Sequence, residues 1–323
     1  MPLRLAYVMD PLSGILLDKD TTFAWLLEAQ GRGHANFYIG RGLLALHGTE
    51  PRALAAPLEV QRVPGDHFRL GEARWTPLAE FDVIFMRQDP PIDLEYLYAT
   101  HILSHVKPPS RVLNNPHALR EANEKLYGLQ FPELIPPTLV SSHMESIRHF
   151  LHEQAGRAVI KPLDRSGGAG VFILDPHDPN LTALLEISTN FGQRSVVVQR
   201  YLPQAKDGDK RVILIGGAPV GAVLRVPTGQ GEHRGNIHVG GQCMKTTLTA
   251  REQEACQHIG PRLLADGLHF VGLDFIGGFL TEVNVTSPTG VQEIDALDGV
   301  NLEAAWLDYV ERLVTTSPPC QGD

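Results

Sequence analysis

LTEVNVTSP, residues 280–288, alternates apolar and polar side chains as a β-strand does. Successive side chains point to opposite faces. Thr281, Val283 and Val285 are therefore expected on one face, and Leu280, Glu282, Asn284 and Thr286 on the other. The preceding HFVGLDFI, 269–276, reads as its hairpin partner across a GGF turn. With a loop at 277–279, Ile276 pairs with Leu280, Asp274 lies opposite Glu282, and Asn284 follows on the same face. A two-residue Gly-Gly turn would instead set Asp274 against Thr281, because a one-residue slip reverses every side chain. Two carboxylates and an amide oxygen on a rigid ladder are hard ligands suited to Mg²⁺. A lone Glu-x-Asn is more often an ordinary solvent-facing strand; Asp274 and the TSP turn shift the reading to metal.

Composition narrows the rest. A chain of 323 residues with 43% hydrophobic content can bury large cores and form two or three domains. The formal charge of -9 argues against a broad phosphate-backbone footprint, so no nucleic-acid partner is expected. Asp10 interrupts the apolar start where a secretory signal would run on, and no apolar run is long enough for a bilayer, so no membrane partner is expected either. Cys243, Cys256 and Cys320 have no CxxC spacing; a reducing cytoplasm fits them better than a disulfide framework or zinc.

Along the first 115 or so residues, before a boundary near 122, LRLAYV (3–8), ANFYI (35–39), DVIFM (82–86) and RVLNN (111–115) alternate with helical stretches, which predicts a parallel, doubly wound sheet. Asn115-Pro116 opens a helix, PHALREANEKLYGL, leading out of that domain. Beyond it the texture is α+β: a lobe over 123–200, a second over 201–316, and a tail from 317. Ser142 to Glu145 and Thr249 to Glu252 read as capping boxes, and Asp178-Pro179 opens a further helix. The glycine-rich, aperiodic PTGQGEHRGNIHVGGQ, 227–242, reads as a long loop of the kind used for lids.

A magnesium site calls for phosphate nearby. No Lys follows a Gly, which excludes a GxxxxGK[ST] loop, and the GxGxxA at Gly40, Gly42 and Ala45 lacks room for the helix a dinucleotide fingerprint needs. DRSGGAGVF, 164–172, is a better candidate: a small-residue turn between strands, three residues after Lys161, able to turn backbone N–H groups onto phosphate while the lysine supplies charge. The alternative reading is a flexible hairpin. Lys125 and Lys161 are two of only seven lysines, and a lysine on a buried side needs an anion. For Lys125 the plainer reading is a charge complementing a helix end. Cys243 beside the glycine-rich loop reads as a small half-buried residue rather than a nucleophile.

VMDP (8–11), FAWLLEAQ (23–30), MRQDPP (86–91), NEKL (123–126), KPLD (161–164), GGAG (167–170), KDGDKRV (206–212), FVGLD (270–274) and TEVNVTSPTG (281–290) occur in an order and spacing that resembles prokaryotic-type glutathione synthetase, an ATP-grasp ligase. The resemblance implies an N-terminal Rossmann-like domain followed by two α+β lobes that grip ATP, in a homotetramer. It implies that Lys125, Lys161 and the loop at Gly167, Gly168 and Ala169 hold phosphates. It places Gln199, Tyr201 and Leu202 against adenine and Asp209 on the ribose. Asp274, Glu282 and Asn284 would hold Mg²⁺, and Arg211 and Arg225 would face the reacting groups. The segment 227–242 matches the family's lid. Gln88, Gln292 and His238 depart from the family pattern, which bears on dipeptide affinity.

The activity implied is ligation of γ-glutamylcysteine to glycine through an acyl phosphate. Two alternatives remain open at the level of sequence: an ATP-grasp ligase of another acid and amine, since fold does not fix substrate, and a nucleotide-binding module without turnover. Retention of Asp274, Glu282, Asn284 and both arginines disfavours the second.

Overall fold

The computed structural model describes residues 1–154, 156–165, 167–227 and 241–316. Most of the lid expected at 227–242, including His238, and the tail with Cys320 lie outside the described residues.

The N-terminal sheet is built on four parallel strands, in spatial order Ala35–Ile39, Arg4–Met9, Val83–Arg87 and Arg111–Leu113. Leu5, Tyr7, Val8, Val83, Ile84 and Phe85 are fully buried, as expected of strands covered on both faces by crossover elements. The sheet is not all parallel. Glu50–Val60 pairs antiparallel with Ala35–Ile39, and short strands at Leu44–His47, Phe68–Leu70 and Arg74–Pro77 pair with it, giving eight strands in all. The stretch that carried the GxGxxA match thus runs into a strand at Leu44, where a dinucleotide fingerprint requires a helix.

The helix expected across PHALREANEKLYGL is shorter. It covers Pro116–Glu121, capped by Asn115, whose side chain accepts from the His117 N–H. Asn123 then turns the chain, its carboxamide accepting from the Lys125 N–H and donating to the Leu163 carbonyl. Lys125 consequently stands in a turn, and its placement owes nothing to a helix dipole.

The central four-stranded antiparallel sheet runs Phe172–Leu174, Ala158–Pro162, Val196–Arg200, Thr138–Ser141. Helices Met144–Glu153 and Leu181–Thr189 close one face of it over Ile147, Leu151, Ile160, Leu185, Val196 and Val198. The first helix is capped by His143, which accepts from the Ser146 N–H, so the expected Ser142–Glu145 box does not form. The second begins two residues after Pro179, with Asn180 at the cap position.

The C-terminal antiparallel sheet runs Gln242–Lys245, Ala218–Val226, Asp209–Ile215, Phe270–Ile276, Phe279–Asn284. Helix Ala250–Ala265 packs on it and carries the expected Thr249–Glu252 capping box. Helices Val291–Asp298 and Leu302–Thr315 follow the last strand. This sheet shares its core with the N-terminal domain, where Trp25 lies 4.6 Å from Phe270 and 5.0 Å from Trp306, ring centre to ring centre. The buried Asn114 pins the join, donating to the Phe270 and Val285 carbonyls and accepting from the His269 and Phe270 amides. The central sheet keeps a core of its own, and the large cleft opens between it and the C-terminal sheet.

Candidate active site

The ribbon Phe270–Asn284 forms one wall of that cleft, and its register differs from expectation in an instructive way. The turn has two residues, Gly277 and Gly278, both at positive φ, and Ile276 pairs with Phe279. Primed two-residue turns demand that conformation, which glycine adopts freely. That turn was expected to spoil the site. A bulge at Thr281 restores it: Phe275 pairs with Leu280, while Asp274 still faces Glu282 and Gly272 faces Asn284. The bulge also moves Leu280 to the apolar face with Val283 and Val285, all three fully buried, instead of the face shared with Glu282.

The cleft encloses about 660 Å³. Lys125, Lys161, Asp209, Asp274 and Glu282 line it with charge. The turn at Gly167, Gly168 and Ala169 forms its edge, and Gln199, Tyr201 and Leu202 border it together with Val159, Phe172 and Ile276. It therefore has a polar end at the ribbon and an apolar slot between the sheets, the character expected of a small-molecule site. Gly167, Gly168 and Gly170 all have positive φ, and a Cβ on Gly170 would come within 2.8 Å of the Pro162 ring. This loop can therefore follow the strand ending at Pro162 closely.

Lys161 is partly buried, its Nζ 3.8 Å from Glu282 Oε1; desolvation lowers its pKa, opposed by Glu282. Lys125 Nζ donates to the Arg165 carbonyl at 2.5 Å. Neither amine is fully neutralised by these contacts, so both remain available to an anion.

Arg211, Arg225 and Asn284 do not line the cleft; they stand behind Asp274. Arg211 grips that carboxylate with two parallel bonds, Nε to Oδ1 at 2.5 Å and Nη2 to Oδ2 at 2.8 Å. Arg225 Nη2 lies 3.0 Å from Oδ2 and also bonds Asp209, and Asn284 Nδ2 donates to Oδ2 at 3.1 Å. Burial by itself would raise the Asp274 pKa, but the two guanidiniums hold it well below the usual carboxylate range. Asp274 is thus a permanent anion. With Nδ2 engaged, the Asn284 carbonyl oxygen is the atom left to bind a cation. The donor set of two facing carboxylates and one amide oxygen fits a hard divalent cation that takes its remaining ligands from water and phosphate.

Sequence reasoning missed Glu124. Its Oε1 accepts from the Val285 and Thr286 amides and from the Thr286 hydroxyl, and its carbonyl accepts from the Val283 N–H. It fastens the end of the Asp274–Asn284 ribbon to the turn that carries Lys125. Its place inside NEKL was the available signal, since a carboxylate next to a site lysine and buried here must be satisfied by local donors. Of the departures, Gln292 donates to the Asp20 carbonyl and accepts from Arg62, while Gln88 is buried with its Nε2 unpartnered. Cys243 is half-buried, and burial raises its thiol pKa, which suits packing rather than nucleophilic attack.

Comparison with known proteins gives the family. Residues 3–120 match the family model described as prokaryotic glutathione synthetase, N-terminal domain, and residues 124–299 match prokaryotic glutathione synthetase, ATP-grasp domain. The chain is 49% identical to a glutathione synthetase of Synechococcus elongatus over 97% of its own length and 99% of the relative's. It is 44% identical to one of Brucella melitensis, over 96% and 99%. Among solved structures it superposes on D-cycloserine synthetase DcsG (TM-score 0.67, 16% identity, 96% of this chain and 99% of that one). It also superposes on a RimK-domain ATP-grasp protein of Sphaerobacter thermophilus (TM-score 0.62, 18% identity, 95% and 98%). The chain belongs to the prokaryotic glutathione synthetase family, ATP-grasp ligases that join a carboxylate to an amine at the expense of ATP.

Proposed function

We propose that this chain ligates γ-glutamylcysteine to glycine, with ATP converted to ADP and phosphate, and that the cleft between the central and C-terminal sheets is where it does so. The observation that carries the proposal is the convergence of Lys125, Lys161, the 167–169 turn, Asp274 and Glu282 on one cavity. Its apolar slot at Val159, Phe172 and Ile276, bordered by Gln199, Tyr201 and Leu202, suits a purine, and Asp209 in the same lining would take the ribose hydroxyls.

In this reading the cysteinyl carboxylate attacks the γ-phosphorus and ADP departs, leaving an acyl phosphate; the glycine amine then attacks the acyl carbon and phosphate departs. Asp274, Glu282 and Asn284 would hold Mg²⁺, which when bound neutralises phosphate oxygens as a Lewis acid. Lys125, Lys161 and the amides of the 167–169 turn stabilise charge on the transferring phosphoryl group. Arg211 and Arg225 hold Asp274 in position, and a carboxylate released from one of those bonds leaves a guanidinium free to face the substrate's carboxylate. The segment 227–242 serves as the lid that keeps water from the acyl phosphate. A homotetramer in the cytoplasm completes the proposal; a sedimentation measurement tests the assembly.

The decisive test is phosphate release from ATP with γ-glutamylcysteine, glycine and Mg²⁺ each omitted in turn. Full release is expected only with all three present. Release that persists without the dipeptide, or that other amines support as well as glycine does, would sink the proposed specificity.

A further inference from the structure

The central sheet forms the other wall of the cleft, and its side chains alternate between two faces. Leu139, Ile160, Leu174 and Val198 point to the helices, while Val159, Lys161, Ile173 and Gln199 line the cleft. Thr138, Gln199, Val159 and Ile173 pair across the four strands as a single rung. Lys161 follows two residues beyond Val159 on the same face, so the rung and the phosphate lysine share one wall. Gln199, 5% exposed, is the polar side chain that this rung brings to the cleft.

A carboxamide has a donor at one end and an acceptor at the other, in nearly the same outline. Here the neighbours decide which end lies where. The Thr138 hydroxyl donates to the Pro136 carbonyl at 2.7 Å, and a carbonyl can only accept. A hydroxyl has a single proton to give. Toward Gln199, 3.1 Å away, Thr138 Oγ1 can therefore only accept, and the amide atom that meets it must be Nε2. Turning the amide over would set two acceptors against each other. Gln199 Oε1 takes part in no hydrogen bond among the described residues and is not sealed from solvent. It is the acceptor that the side chain offers to the slot.

We propose that Thr138 is a positioning residue for base selection: by holding the Gln199 amide with its oxygen free, it makes the site take adenine in preference to a 6-oxopurine. The inference rests on the reading of the slot as the purine's and adds to it how the base is chosen. Once joined to ribose, adenine keeps one N–H donor group, the 6-amino, so an acceptor in the slot can receive a bond from that group alone. A 6-oxopurine carries a carbonyl oxygen in its place. Two acceptors then meet, and a site built around a hydrogen bond rejects the analogue that cannot make it. With Val at position 138 nothing fixes the amide, which can turn over and offer Nε2 to a carbonyl as readily as Oε1 to an amine.

The test is equilibrium binding, by calorimetry with Mg²⁺ present, of ADP and of IDP, the inosine nucleotide, to the full-length parent, Thr138→Val and Thr138→Ser. The parent should bind ADP about 10-fold or more tightly than IDP, since one neutral hydrogen bond is replaced by two opposed acceptors. Thr138→Val should bring the two affinities to within about 3-fold of each other. Thr138→Ser keeps the hydroxyl and should discriminate as the parent does. A purely structural Thr138 would, when replaced by Val, weaken both nucleotides alike and leave their ratio as it was. That result, or a parent indifferent to the base, would overturn the assignment, and a parent that binds neither nucleotide would overturn the purine slot with it. Failure of the ligase reading looks different: base selection as expected, but no phosphate release from ATP when the dipeptide and glycine are supplied.

Discussion

Arg211 and Arg87 both hold the turn that follows the Phe270–Asn284 ribbon, from opposite sides and by opposite means. Arg211 reaches it from the C-terminal sheet, donating to the Thr289 carbonyl while its charge is cancelled by Asp274. Arg87 reaches it from the N-terminal sheet, donating to the Thr286 and Pro288 carbonyls at 3.3 Å each and to the Thr22 hydroxyl at 2.9 Å. Its guanidinium lies 4.4 Å from the Trp25 ring centre, and it forms no ion pair among the described residues. Burial pulls the Arg87 pKa down to about 10, whereas Arg225, which shares Asp274 with Arg211, is held above its ordinary value by Asp274 and Asp209 despite burial. The same side chain is thus a brace in one sheet, held by neutral acceptors, and half of an ion pair in the other. Only the second depends on an anion.

Removing the anion from the second arrangement should therefore produce the largest effect. Asp274→Asn leaves the buried Arg211 guanidinium without its carboxylate and takes from Arg225 one of its two, the other being Asp209, a loss of about 3–5 kcal/mol of stability. Activity should fall about 10³-fold or more, since a cation's several kcal/mol of charge stabilisation goes with the ligand. Denaturant unfolding and steady-state phosphate release measure the two separately. An Asp274→Asn protein as active as the parent would show that the ion pair is only a brace. Arg87→Met tests the other side. It leaves two buried carbonyls without donors, and a loss of about 1–3 kcal/mol is expected. A loss as large as that of Asp274→Asn would erase the distinction between the two arginines.

What could be read from the sequence follows the same physical line. The four parallel strands were legible because each is a short apolar run bounded by turns, and the ribbon was legible because its pattern sets carboxylates on one face of a strand. The antiparallel extension at 44–77 was not, since Arg52, Glu59 and Arg74 interrupt the apolar periodicity of its strands. The Thr281 bulge was also invisible. Sequence fixes that Gly277-Gly278 can make a tight turn, but whether a bulge corrects the register depends on Leu280 finding the core beneath it. The lysines, the small-residue turn and Asp274 with Glu282 were found from residue type and spacing. Glu124 was not, because a carboxylate's significance lies in which donors the fold brings to it, and for Glu124 there are three.

A third way of settling a buried charge appears between helices Val291–Asp298 and Leu302–Thr315, where Asp295 meets Glu303 and no guanidinium intervenes. A proton shared between the two carboxyls is expected to do here the work that Arg211 does for Asp274. Burial, and then the neighbouring Glu303 carboxyl, raise the Asp295 pKa to about 8. In the unfolded chain an Asp releases its proton near pH 3.9. Between those values the folded state binds more protons, so this pair's contribution is complete below about pH 4 and is lost as pH rises through about 8. Asp295→Asn keeps an oxygen for the Leu302 N–H and gives Glu303 an amide donor that does not titrate. Its Tm should therefore decline less than the parent's between pH 5 and pH 9, the smallest effect of the three because Asp295 is half in solvent. Parallel Tm curves for the two proteins would mean that the carboxyls do not share a proton, and that this corner of the fold tolerates like charges which the arginine-lined sheet does not.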